Sequence, residues 1–241
     1  MDHQAHSPRP ADTPRTLAIF GATGATGDAA VTYALARGHR VRAIDIGSPR
    51  TPRQGANYYT ANVLSDTLDQ FVEGTDAVLS CLGVDNHPQT LLSPPPLYTD
   101  GTAAICDAME HTGVKRLIVM SASFVEARNR GPIWFKLPAM VALHRVFDQM
   151  GQMEEQLQHR KSIDWTAVRP GWLMAGERSD DYTVQADVIP EDMIRTRRAD
   201  VGAFMVDLAE SGEWVRRTPA LARHEAAEKS NPEAVVRDML G

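Results

Sequence analysis

A short apolar run, Thr16-Leu17-Ala18-Ile19-Phe20, leads directly into three glycines spaced three apart: Gly21, Gly24 and Gly27. Such a run reads as a strand buried on both faces of a parallel sheet. Asp28 to Arg37 then reads as a helix, with Val31, Ala34 and Leu35 on one face and Gly38 closing it. Arg40 to Ile46 reads as a second strand. Strand, glycine turn, helix and strand form one right-handed βαβ unit, and parallel strands of this kind need helices on both faces of their sheet.

The alternation continues along the chain. Strands are expected at Asn57–Ala61, Asp76–Cys81, Arg116–Met120 and Trp165–Arg169. Helices are expected at Thr67–Val72, Thr99–His111, Leu137–Arg160 and Ala199–Glu210, the last with Asp200 as N-cap. This pattern predicts an α/β fold, a Rossmann-type doubly wound parallel sheet with a small C-terminal part covering the substrate. Residues 1–15, with Pro8, Pro10 and Pro14, read as a disordered tail, 16–218 as one domain including a covering segment at 172–198, and 219–241 as a C-terminal tail.

The chain's 241 residues suffice for one large α/β domain. Its net charge of −6 argues against nucleic acid as a partner, since backbone phosphates want a basic face. No run approaches a membrane span, and the first residues lack the apolar core of a signal peptide. The expectation is a cytoplasmic monomer or homodimer with a small-molecule substrate. Cys81 and Cys106 sit in apolar runs and read as core residues, and no metal-ligand spacing is present.

Glycines between a buried strand and a helix bring free backbone N–H groups and the positive helix end close to a pyrophosphate. Gly21, Thr23, Gly24, Ala25, Thr26 and Gly27 are therefore candidate cofactor contacts, and Asp45, about twenty residues on, is placed to accept ribose hydroxyls. A carboxylate there favours NAD over NADP. Arg50 and Arg53, with Ser48 between the strands, could instead hold a 2′-phosphate, which leaves NADP possible.

The G-x-x-G-x-x-G spacing closely resembles the opening of the atypical and extended short-chain dehydrogenase/reductases. Gly74–Gly83 resembles that family's fourth strand, Gly113–Ser123 its fifth, Trp165–Gly171 its sixth and Arg198–Val201 its late helix. The nearest subgroup is the NAD(P)H-binding one with the biliverdin reductase B/flavin reductase type and the NmrA-like proteins. The resemblance implies that Asn62 and Val63 lie by the adenine, and that Cys81, Leu82, Gly83, Ser121, Pro170 and Gly171 surround the nicotinamide.

The family's usual Tyr-x-x-x-Lys pair is absent. Four residues before Lys115, Lys136, Lys161 and Lys229 stand His111, Pro132, Leu157 and Glu225. Ser121 and Ser123 could orient a substrate carbonyl or merely satisfy a strand end. His144 and Asp148 share a helix face, as a proton-donating pair or, more simply, an exposed one. Glu154 and Glu155 read as solvated; Trp134, Phe135, Met140 and Trp172 could wall a planar substrate or pack the core. The expected function is hydride transfer with a small planar organic substrate; an NmrA-like redox sensor and an NAD-dependent epimerase or lyase are the alternatives. With no tuned acid, the proton is expected from water or a weakly tuned group, and Ser121, Ser123 and the backbone at Gly83 are expected to steady the developing negative charge, so that substituting Tyr98, Tyr182 or His144 costs little.

Overall fold

In a computed structural model the apolar run before the glycines is β1 (Thr16–Phe20). Residues 13–85, 87–127 and 138–226 are described. After β1 come α1 (Ala25–Ala36), β2 (Arg40–Asp45), β3 (Ala56–Thr60), α2 (Asp69–Val72), β4 (Ala77–Ser80) and α3 (Pro88–Leu92). A π-helical turn at Leu97–Gly101 leads into α4 (Thr102–Thr112), followed by β5 (Arg116–Met120) and a 3-10 turn at Ser123–Val125. Then follow α5 (Pro138–His159), β6 (Asp164–Pro170), β7 (Trp172–Met174), β8 (Thr183–Ala186), β9 (Arg195–Arg197), α6 (Arg198–Ser211) and β10 (Pro219–Ala222).

The sheet has eight strands in the order β3-β2-β1-β4-β5-β6-β10-β8. All neighbours are parallel except β8, which runs antiparallel to β10 at the edge. This is a doubly wound Rossmann sheet with two added strands. Because side chains alternate along a strand, β1 feeds two cores. Ala18 and Phe20 join Ile105, Met109, Met153 and Leu157 on the α4–α5 side. Leu17 and Ile19 join Ala30, Val31, Val201 and Met205 on the α1–α6 side. There α1 and α6 meet backbone to backbone: a Cβ on Gly202 would stand 2.6 Å from the Ala30 nitrogen.

Three expectations need correction. Pro219–Ala222 is not tail but a fully buried strand between β6 and β8. Proline is tolerated as its first residue, and the strand's other pairings come from distant chain, so no local pattern announces it. Arg15 is tied down, its N–H donating to His39 Nδ1 at 3.0 Å and its guanidinium to the Glu210 carbonyl at 2.8 Å. Residues 1–12 and 227–241 lie outside the described residues. Asp200 does not cap α6; Arg197 holds that place. Asp200 is fully buried, and its carboxylate accepts from the Ser179 N–H and hydroxyl, each at 2.7 Å, which pins the segment after β7.

Candidate functional site

The strand order reverses between β1 and β4, and in open α/β sheets ligands bind beyond the strand ends at such a point. A cavity of about 970 Å³ lies there. That is the upper end of the roughly 300–1,000 Å³ range of ligand sites.

One end is the glycine loop. Gly21 has φ +72°, and a Cβ on it would stand 2.5 Å from the Cys81 carbonyl oxygen. The loop can therefore cross the end of β4 only with glycine there. Gly24 takes the N-cap position of α1 in extended conformation, with no side-chain cap. The first N–H groups of a helix have no partner within it, and they carry its positive end. Thr23, Gly24, Ala25 and Thr26 line the cavity here. Gly27 does not; a Cβ on it would lie 2.0 Å from the Gly21 carbonyl oxygen, so its role is close packing beneath the loop.

Asp45 ends β2 and lines the same cavity. One carboxylate oxygen accepts the Thr23 N–H at 2.9 Å and the other the Gly47 N–H at 3.3 Å. Arg53 is committed elsewhere, holding Asp28 through two hydrogen bonds of 3.0 and 2.6 Å. Ala61 and Val63 line the cavity below Asp45. Asn62 points away: it is exposed, and its side-chain oxygen accepts the Leu64 N–H at 3.0 Å.

The far end is apolar. Cys81, Leu82 and Gly83 follow β4, Ser121 and Ala122 follow β5, and Pro170 and Gly171 close β6; all line the cavity. Burial pushes the Cys81 thiol up to about 12, which keeps it neutral. Tyr98, Phe124, Leu143, Phe147, Met150 and Trp172 form the wall beyond, with the Phe124 ring 5.6 Å from Phe147 and 6.0 Å from Trp172. Trp134 and Phe135 lie outside the described residues, as does the side chain of Met140.

The expected catalytic residues separate. Ser121 reaches the cavity, but its hydroxyl donates to Glu154 Oε1 at 2.6 Å. Ser123 is fully buried outside the lining, and its hydroxyl donates to the Arg169 carbonyl at 2.7 Å; it satisfies a strand end. His144 is exposed on α5, away from the cavity. Glu154 is not solvated. It is 4% exposed and pairs with the Arg169 guanidinium at 3.0 and 2.5 Å. Its spacing of four from Met150 and three from Leu157 is the signal that could have placed it on the buried stripe of α5. Tyr98 and Phe124 were not singled out as wall residues, and no spacing pattern marks them.

The cradle, the cavity-lining carboxylate of Asp45 and the apolar far end fit an extended dinucleotide. Comparison with known proteins agrees. Among solved structures the fold is shared with an oxidoreductase from Lactococcus lactis, 18% identical, covering 94% of this chain and 97% of that one with a TM-score of 0.71. A protein assigned as an NADH-flavin reductase from Streptococcus pneumoniae is 21% identical, covers 87% and 100%, and has a TM-score of 0.70. One assigned as an NAD-dependent epimerase/dehydratase from Bacillus halodurans is 21% identical, covers 92% and 98%, and has a TM-score of 0.73. A 3-diazoavenalumate denitrifying reductase from a Streptomyces species is 28% identical over 132 residues, 48% of this chain and 40% of that protein. The chain thus spans about two fifths of that relative's length. A family model described as NAD(P)H-binding matches residues 21–211, from the first glycine of the cradle to the end of α6, and the chain belongs to that NAD(P)H-binding family.

Proposed function

We propose that the protein is an oxidoreductase of the atypical short-chain type, which uses NAD(H) to reduce a small planar organic acceptor. The observation that carries this reading is the continuity of the cavity. It runs from the glycine cradle past Gly83 into a chamber walled by Tyr98, Phe124 and Trp172, room that holding a cofactor alone does not require. A reduced nicotinamide cofactor held in this cavity would supply a hydride. The chain's own part is to bind the pyrophosphate on the amides of α1, orient the ribose on Asp45, and stack and dry the acceptor against the aromatic wall. No Tyr-x-x-x-Lys is present, so the acceptor is one that takes hydride readily: a flavin, a quinone or a conjugated system. The relatives named for reduction of a flavin and of a diazo compound support that class.

The test is NADH consumption with flavins, quinones, conjugated ketones and an aryl diazo compound. Turnover of at least one acceptor is expected. Tight NADH binding without turnover of any of them would sink this reading and leave the redox sensor; NAD retained through purification would point to the epimerase or lyase class. We further propose that Asp45 makes NAD(H) the preferred cofactor, since its carboxylate repels a 2′-phosphate.

A further inference from the structure

Near the far end of the cavity, the hydroxyls of Ser121, on the lining, and of Ser123, buried behind it, have already given their protons away. Ser121 donates to Glu154 and Ser123 to the Arg169 carbonyl. Both acceptors are buried, Glu154 as half of an ion pair, so neither bond is easily exchanged for one to a ligand.

Tyr98 differs. It occupies the π-helical turn Leu97–Gly101, a distortion often found at functional sites. Its ring packs in the apolar core and the residue is 4% exposed, yet it lines the cavity. Its hydroxyl oxygen lies 3.9 Å from where a Cβ on Gly83 would stand. The Val84 N–H nearby lowers the pKa of the phenol, an effect smaller than that of its burial. Among the described residues no acceptor takes its proton. Burial pushes its pKa up to about 12, so the phenol stays neutral and keeps a proton to share.

We propose that the Tyr98 hydroxyl donates the hydrogen bond that stabilises negative charge developing on the acceptor's heteroatom. This rests on the oxidoreductase reading above. Hydride adds to one end of the acceptor's double bond and forms the new bond there. The π-electron pair moves to the heteroatom at the other end, which Tyr98 holds. Water entering by the cavity supplies the proton that completes the two-electron reduction, NAD⁺ is the oxidised product, and Tyr98 is unchanged. A fixed, desolvated donor aimed at charge that appears only during reaction is worth most in such a dry site. The expectation that Tyr98 is dispensable is thereby revised; it stands for Tyr182 and His144, which lie outside the lining.

The experiment pairs Tyr98→Phe kinetics with a binding probe that needs no turnover. The expected loss in kcat on the best acceptor is about a hundredfold, the scale of one lost oxyanion donor, with NADH affinity unchanged. The probe is 4-nitrophenol, titrated by absorbance in the NAD⁺ complex. Tyr98→Phe should weaken the bound anion about tenfold or more relative to the neutral phenol, as loss of a hydrogen bond to a charged group does. Replacing Tyr98 by 3-fluorotyrosine, a stronger donor that keeps the hydroxyl, should tighten the anion. An unchanged anion preference in either protein overturns the proposal. So does a kcat loss below about threefold, or an equal weakening of NADH and of both probe forms, which would mark Tyr98 as merely structural. If no acceptor is turned over, the oxidoreductase reading fails, and the probe titration still decides whether Tyr98 is a donor.

Discussion

Gly24 has room that Gly21 and Gly27 lack. A Cβ on it would meet only the Gly21 carbonyl oxygen, at 3.4 Å, and a longer side chain would project into the cavity. Gly24→Asp should therefore fold and fail to bind. A like charge about 4 Å from a phosphate costs roughly 4 kcal/mol at an effective dielectric of about 20. Calorimetry should show NADH affinity reduced by about a hundredfold or more, with thermal stability nearly unchanged; intact affinity would mean that the pyrophosphate lies elsewhere. Asp45 makes the second prediction. The protein should bind NADH more tightly than NADPH, and Asp45→Ala should narrow that gap while weakening NADH, because Asp45 also holds the Thr23 N–H. Stronger NADPH binding by the unaltered protein would assign the 2′-phosphate to Arg50, since Arg53 is taken by Asp28. Backbone geometry at these positions was legible from glycine spacing. The direction of individual hydroxyls was not: Ser121 and Ser123 are two apart on one short segment, yet only Ser121 faces the cavity.

At the scale of elements, α5 and β6 are joined by the buried pair of Glu154 and Arg169, and that join braces Ser121 on β5's end. Glu154→Ala leaves the buried guanidinium with the Asp187 carbonyl at 2.9 Å and, for a countercharge, Glu126, itself 58% exposed and 3.4 Å away. Removing one partner of a buried pair costs roughly 3–5 kcal/mol, and urea unfolding should show a loss of that order. A loss below about 1 kcal/mol would mean that Glu126 swings in and compensates. Glu154→Gln, which keeps an acceptor for both Ser121 and Arg169, should lose less. Helical periodicity could have placed Glu154 on the buried face, but not its partner: Arg169 lies on a strand whose neighbours are chosen by sheet order.

Across the whole molecule, three distant parts of the chain meet on the back of α1 and α6. The Tyr33 hydroxyl of α1 donates to Asp207 of α6 at 3.0 Å. Arg178, from the segment after β7, lies over the Tyr33 ring at 4.9 Å, and Tyr182 packs edge-on against Phe204 with centroids 6.0 Å apart. Burial raises the Asp207 carboxyl from 3.8 to about 6. A carboxyl whose folded pKa lies above its unfolded one takes up protons more readily in the native state. Its contribution to stability is then fully present below about pH 4 and is lost as pH rises through 6. At pH 7 the charged form is a cost. Asp207→Asn keeps an oxygen for Tyr33 and should raise Tm at pH 7 by roughly 2–4 °C, the change that about 1 kcal/mol makes in a domain of this size. The gain should vanish near pH 4; a lower Tm at pH 7 would show that the charge itself is needed there.

The sequence by itself determined the βαβ alternation, the two-faced strands and the glycine cradle with its carboxylate. These follow from periodicity and local backbone sterics, which neighbouring residues settle among themselves. Only the tertiary structure decided that Pro219–Ala222 completes the sheet, that Glu154 is buried against Arg169, and that Tyr98 faces the cavity with its proton unspent. Each of those depends on which distant residue supplies the missing strand, countercharge or acceptor, and that is fixed by packing across the fold rather than by spacing along the chain.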